Sequence, residues 1–194
     1  MKKWIIGLKV VLQLISDPSS PYPEVVEKVC VKELKKKPND FYINWFLGYV
    51  YVKYGLYQKA VGILEPLFLK KKKAEKVGLK LAKAYFNLQN YNNVVKTLTE
   101  LNEIPGKDVA NYYLGYSLVE LGKIAQGIHY LEIYLKHHPS DHLVFCKLGW
   151  AYFQLAEYSL SLRAYKSAKT IKPSDRKIEE SIELCKIKIE NINN

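Results

Sequence analysis

NWFLGYVYVKYGLYQKAVGIL, from Asn44 to Leu64, decides how the rest of the chain is read. Leu47-Gly48 is followed by Tyr51, then Gly55 and Tyr57, then Ala60 and Leu64. That spacing predicts two short amphipathic helices joined by a tight turn, with these positions buried between them. The pattern returns as Leu81-Ala82…Tyr85…Tyr91…Val94…Leu98, as Leu114-Gly115…Leu118…Ile124…Gly127…Leu131, and as Leu148-Gly149…Tyr152…Tyr158…Ser161…Tyr165. The small residue of the Leu-small pair falls at 48, 82, 115 and 149, so the period is 34, 33 and 34 residues. A fixed period of this length marks stacked helical hairpins, none of which can bury its apolar face alone. The fold class expected is all-α.

The pattern resembles the tetratricopeptide repeat (TPR), whose signature is W-x2-L-G-x2-Y…A-x3-F…P. Counted from Phe41, Glu75, Asp108 and His142, each unit carries the Leu, followed by Gly in three units and Ala in one. The closing Pro is present as Pro139 and Pro173 and replaced by Lys72 and Gly106. The signature Trp is absent, with Asn44, Gly78, Asn111 and Phe145 in its place. The resemblance covers residues 41 to 174. It implies a right-handed superhelical solenoid of helix-turn-helix repeats that works by holding a peptide or protein in a concave groove.

Outward from these units, Met1 to Ile15 (MKKWIIGLKVVLQLI) opens like a secretory signal. Lys9 and Gln13 interrupt its apolar run, however, and no small-x-small cleavage site precedes Ser16. It is also too short to span a membrane. We therefore read it as a retained first helix burying Trp4 and Ile5 or Leu8, with cytoplasmic localisation; a cleaved signal is the lesser alternative. Ile6-Gly7 lies one period plus seven residues before Leu47-Gly48, and the Pro/Ser-rich loop Ser16 to Tyr22 absorbs the surplus. Pro23 to Lys36 reads as the second helix of this degenerate unit, with Val26, Cys30 and Leu34 on one face. The same Pro-x-Asp punctuation occurs at Pro38-Asn39-Asp40, Pro139-Ser140-Asp141 and Pro173-Ser174-Asp175. Lys70 to Lys73 is expected to follow a helix C-terminus, and Asn102 to Lys107 to form a turn. After Asp175, Ile178, Ile182, Cys185 and Ile189 form the inner stripe of a capping helix. The organisation expected is one domain over 1–194. It comprises a degenerate repeat at 1–40, repeats at 41–74, 75–107, 108–141 and 142–174, and a capping helix at 175–194.

At 194 residues and 48% hydrophobic composition the chain can bury a substantial core. The net charge is +11, and only Arg163 and Arg176 are arginines. Lysine is a solvated point charge without the planar fork that grips phosphates and base edges. The excess therefore favours acidic protein partners by steering and argues against nucleic-acid reading. Cys30, Cys146 and Cys185 are odd in number and far apart, which signals neither a disulfide framework nor a zinc site. No nucleotide-binding, zinc-protease or hydrolase motif occurs, so no enzyme, metal or cofactor is expected. His137, His138, Asp141 and His142 cluster around Pro139, and an inter-repeat turn explains them as solvated loop residues. His129 stands alone.

What the repeat does not require is a second stripe, at positions 2, 5, 9 and 12 of each first helix. Its members are Tyr42, Trp45, Tyr49 and Val52; Lys76, Leu79, Lys83 and Phe86; Val109, Tyr112, Tyr116 and Val119; and Leu143, Cys146, Trp150 and Phe153. Tyr51, Tyr57, Tyr85, Tyr91, Tyr152 and Tyr158 fall instead at packing positions. We expect Tyr42, Trp45, Tyr49, Phe86, Tyr112, Tyr116, Trp150 and Phe153 to anchor a partner helix or extended segment, as aromatic rings do at interface hot spots. Lys53, Lys76, Lys80 and Lys83 would attract acidic residues flanking that segment. The opposed reading puts the rings in the core and the lysines on a solvated face. Some TPR proteins clamp a C-terminal carboxylate with Lys and Asn at positions 5 and 9. Here Trp45 and Tyr49 hold those positions, which does not support such a clamp. The function expected is a non-catalytic adaptor or scaffold. The rivals are a binder of nucleic acid or another anionic surface, and a self-assembling scaffold in which one copy's N-terminal helix fills another's groove.

Overall fold

The computed structural model describes residues 23–70, 74–101 and 107–193. The expected helix at 1–15 and the loop after it lie outside these residues, as do 71–73 and most of the 102–107 turn. Among the described residues the chain forms ten α-helices and no strand: α1 (Pro23–Leu34), α2 (Phe41–Lys53), α3 (Tyr57–Leu69), α4 (Ala74–Asn87), α5 (Tyr91–Thr99), α6 (Lys107–Glu120), α7 (Ile124–His137), α8 (His142–Gln154), α9 (Tyr158–Ile171) and α10 (Arg176–Asn193). The architecture is an all-α helical repeat of the solenoid class. No described helix is long and apolar enough to cross a membrane. The chain divides into two compact units, one ending at Ala84 and one beginning at Tyr85, within α4.

Local chemistry repeats with the period. In each Pro-x-Asp turn the aspartate N–H donates to the carbonyl three residues back (Lys37, His138 and Lys172) at 3.1, 3.2 and 3.4 Å. The aspartate then caps the next helix: Asp40 accepts from the N–H groups of Tyr42 and Ile43, Asp141 from Leu143 and Val144, and Asp175 from Lys177. Each cap satisfies donors that the first turn leaves open. The turn between paired helices is equally regular. Leu56, Asn90, Lys123 and Glu157 donate to the carbonyls of Tyr51, Tyr85, Leu118 and Tyr152, five residues back, at 2.8–3.0 Å. This is the Schellman closure, and it requires a left-handed residue just past the helix. Gly55 and Gly122 supply it at φ +75° and +76°, whereas Gln89 and Ala156 adopt it at +56° and +59° without glycine's freedom.

In the N-terminal unit α2 packs against α1 and α3. Val26 and Cys30 are buried from α1, Leu47 and Val50 from α2, and Ala60 and Leu64 from α3. Gly48 brings α2 onto α3 so closely that a Cβ there would overlap the Leu64 side chain. Pro66 sits inside α3, where it removes a helical donor.

In the C-terminal unit α6 pairs with α7, α8 with α9, and α9 with α10. Gly115 and Gly127 meet where α6 crosses α7, and Gly149 lies against the Tyr165 ring. One core cluster joins Val119, Ile128, Leu131, Val144 and Leu148; another joins Tyr165 and Ala168 to Ile178, Ile182 and Cys185 of α10. The repeat leucines Leu47, Leu81, Leu114 and Leu148 are only 1, 1, 3 and 4% exposed, as the spacing demands. Val52 and Val119 correct the stripe: both are buried, Val119 in the core cluster with Ile128 and Leu131 of α7 and Val144 and Leu148 of α8.

Candidate functional site

The C-terminal unit carries an aromatic cleft of about 450 Å³. Phe86 and Asn87 reach it from the end of α4, Gln89 from the turn, and Tyr91 from the start of α5. Tyr112 and Tyr116 are neighbours at i, i+4 on α6, and Leu143, Cys146, Lys147 and Trp150 line it from α8. Phe86 is the hub: its ring centroid lies 5.1 Å from that of Tyr116, 5.6 Å from Tyr112 and 6.0 Å from Tyr91. Tyr112 also meets Tyr134 at 5.4 Å, and the Tyr134 hydroxyl donates to Asp141 at 3.1 Å, which ties the cluster to the cap of α8. Burial, with Glu120 nearby, pushes the Tyr116 hydroxyl up to about 12. Burial and then Asp141 raise that of Tyr112. Both rings are therefore neutral at ordinary pH.

Lys147 closes one side. Its ammonium lies 4.3 Å from the Tyr116 centroid and 4.7 Å from that of Trp150, and Glu120 pairs with it at 2.5 Å. Only 12% of its side chain is exposed. The charge is thus neutralised within the wall, and no carboxylate is among the lining residues. Trp150 and Leu143 remain 40% and 63% exposed, so the mouth of the cleft is apolar and open. Such a surface can take an apolar side chain, with Asn87 and Gln89 exposed at its rim.

The N-terminal unit carries a separate arrangement. Trp45 and Tyr49, one turn apart on α2, stack at 6.1 Å with their planes 27° apart. The Trp45 indole N–H donates to the Lys76 carbonyl at 3.2 Å, which fixes the indole against α4. The Lys80 ammonium sits 5.1 Å from the Tyr49 centroid. Burial first, and the charge of Lys83 second, lower its pKa.

The structure brings together Trp45, Tyr49, Lys76 and Lys80 on one unit, and Phe86, Tyr112, Tyr116 and Trp150 on the other. Tyr42 is 56% exposed, edge-on to Phe41. Lys53 is exposed above the Tyr54 ring. Phe153 packs beside the α10 cluster, edge-on to Tyr158 at 5.0 Å, and does not line the cleft. Tyr91 does line it, although its repeat position reads as packing. Lys147 meets Trp150 at i, i+3 on its own helix, but its contacts with Tyr116 and Glu120 of α6 carry no sequence signal, since they are set by helix stacking. Around Pro139, His138 stacks on Tyr134 at 4.3 Å. Among the described residues no three His, Cys, Asp or Glu side chains converge as metal ligands.

The family model described as anaphase-promoting complex, cyclosome, subunit 3 matches residues 53–134. Among solved structures, a MamA from AMB-1 is 21% identical with a TM-score of 0.70, over 77% of this chain and 82% of that one. A second AMB-1 MamA structure is 25% identical, with a TM-score of 0.63 over 69% and 79%. A MamA double mutant from RS-1 is 18% identical, with a TM-score of 0.67 over 77% and 84%. The repeats are tetratricopeptide repeats. Among curated proteins none matches the sequence. The TPR framework explains where the cleft residues stand: they project from first helices, from the turn after α4 and from the start of α5, while the paired glycines and leucines hold those helices in place.

Proposed function

We propose that this TPR protein is a non-catalytic adaptor, and that the cleft of its C-terminal unit receives an apolar side chain from a helix or extended segment of a partner protein. The observation that carries this is Trp150: a large ring left 40% exposed beside the open Leu143, yet held in place by Lys147. An apolar surface fixed before binding loses little entropy when a partner arrives. Tyr42, Trp45, Tyr49, Lys53, Lys76, Lys80, Lys83 and Phe153 are proposed to add contacts, the lysines toward acidic residues flanking the segment. The matched family model describes a subunit of a multi-protein complex, which agrees with a partner-binding role.

A photo-crosslinking residue at Leu143 identifies the segment that enters. Affinity for that segment is then measured with Trp150→Ala and with Tyr112→Ala. Interface aromatics commonly contribute more than about 1 kcal/mol each, so Trp150→Ala should weaken the partner about tenfold. A folded Trp150→Ala protein that binds as well as wild type removes the cleft from the function. If the captured ligand is nucleic acid, its affinity will fall steeply with salt, and the protein-adaptor reading fails.

A further inference from the structure

The charge of the chain sits at one end. Residues 1–84, the N-terminal unit, hold 17 of the 30 basic and 7 of the 19 acidic side chains, so they carry +10 of the net +11, and residues 85–194 carry +1. A split of this kind points to contact with an anionic surface. Within the unit, α1 shows which kind. Val26 and Cys30 face inward, buried where α1 meets α2. The opposite side presents Val25, Lys28, Val29, Lys32 and Lys35 at i, i+3, i+4, i+7 and i+10, one stripe that interleaves apolar and cationic side chains. The Lys35 N–H still donates to the Val31 carbonyl at 3.0 Å, so the stripe runs the length of the helix. Val25 and Val29 are 44% and 42% exposed, and all three lysines are exposed.

The acidic side chains of the unit leave this stripe positive. Glu27 pairs with Lys59 of α3 and Glu33 with Lys36, Asp40 caps α2, and Glu65 and Glu75 belong to α3 and α4. Asp17 lies outside the described residues. Glu24 is exposed beside the stripe in the first turn of α1, where three lysines outweigh it.

We propose that the outward face of α1 docks this protein peripherally on an anionic lipid bilayer, with its lysines over the headgroups and Val25 and Val29 at the acyl boundary. The contact is independent of the cleft, which belongs to the other unit. A bilayer suits this face better than other anions do. α1 has no aromatic ring to stack on a base, and the unit has no arginine to fork a phosphate. A bilayer needs neither. Its diffuse negative potential draws lysines in, and their stems lie along apolar neighbours while the ammoniums stay in water. Valines exposed between lysines gain nothing from a hydrophilic polyanion, whereas interfacial helices combine basic and apolar side chains in this way. The sequence leading into α1 has the same character: residues 1–15 carry Lys2, Lys3, Trp4 and Lys9 in an apolar run with no acidic residue.

The test floats the full chain with vesicles of phosphatidylcholine, alone or with about one-third phosphatidylserine. Binding should require phosphatidylserine and weaken as salt is raised. Each lysine near an anionic bilayer contributes about fivefold, so replacing Lys28, Lys32 and Lys35 by Gln should weaken binding more than about tenfold. Replacing Lys123, Lys136 and Lys166 by Gln removes the same charge from the other unit and should change binding less than about twofold. Val25→Ser with Val29→Ser keeps every charge and should weaken binding about threefold. All substituted residues are solvent-exposed or half-exposed on helices, and circular dichroism melts confirm that each variant stays folded. Equal binding to phosphatidylcholine alone, equal losses from the two lysine sets, or no loss from the serine variant would each overturn the proposal. So would displacement from the vesicles by an equimolar oligothymidylate or glutamate-rich peptide, which would assign the face to nucleic acid or to an acidic protein.

Discussion

Substituting alanine at the glycines measures how much of the fold depends on close helix approach. A Cβ on Gly115 would lie 2.7 Å from Leu131 Cγ and 2.9 Å from the Gly127 carbonyl oxygen. On Gly127 it would lie 2.5 Å from Val119 Cγ2 and 2.7 Å from the Gly115 carbonyl oxygen. Two of those contacts are backbone, so relief requires α6 and α7 to separate and not merely a side chain to rotate. Overpacking of this kind costs about 3 kcal/mol. Replacing a helical glycine by alanine returns about 1 kcal/mol, so a net loss of about 2 kcal/mol is expected for either substitution. At Gly149 the obstruction is the Tyr165 ring at 2.8 Å, and at Gly48 it is the Leu64 side chain, both of which can shift. Gly149→Ala and Gly48→Ala should each lose about 1 kcal/mol or less. Gly62, inside α3, has nothing within 4 Å of a Cβ, so Gly62→Ala should gain about 0.5–1 kcal/mol. Urea melts of the series, read by circular dichroism, test the ranking. A Gly115→Ala protein as stable as Gly62→Ala would refute the account of α6 on α7.

Leu148→Ala should cost about 2–5 kcal/mol in the same melts, whereas Trp150→Ala, two residues on but open to solvent, should cost far less; equal losses would place Trp150 in the core. Asp40→Ala should cost about 1 kcal/mol as a lost helix cap, and Asp141→Ala somewhat more, because it also frees the Tyr134 hydroxyl. Burial, first among their causes, pushes Tyr51, Tyr116 and Tyr134 up to about 12. An unfolded chain releases phenol protons from about pH 10 while these three hold theirs, so stability should be full below pH 10 and fall through the window up to 12. Phenolate absorbance recorded alongside melting checks that order. Burial also pushes the Cys30 thiol up to about 11. Alkylation at pH 8, followed by peptide mass spectrometry, should therefore modify Cys30 only slowly, and preferential labelling of Cys30 over the half-buried Cys146 would contradict its placement.

The sequence by itself determined the repeat: its period, its leucines at 47, 81, 114 and 148, its small residues at 48, 115 and 149, and the aspartates that begin helices after Pro-x-Asp. These features are local. A 3.6-residue helix aligns i, i+3 and i+4, a cap reaches two or three residues, and each constraint returns once per repeat. It also predicted the inner stripe of α10 through Ile178, Ile182 and Cys185. What it could not decide is which side of each first helix is covered, because that depends on the neighbouring helices. Val52 and Val119 shared a stripe with the aromatic rings yet are buried, Phe153 joins the α10 layer, and Tyr91 leaves its packing position to line the cleft. Gln89 and Ala156 take the left-handed turn without glycine because the five-residue Schellman bond closes over them. Lys147 is the clearest case. Its contact with Trp150 is local to α8, but its place against Tyr116 and Glu120, the latter 27 positions away, exists only once α6 and α8 are packed side by side, since a contact across helices leaves no period in the chain.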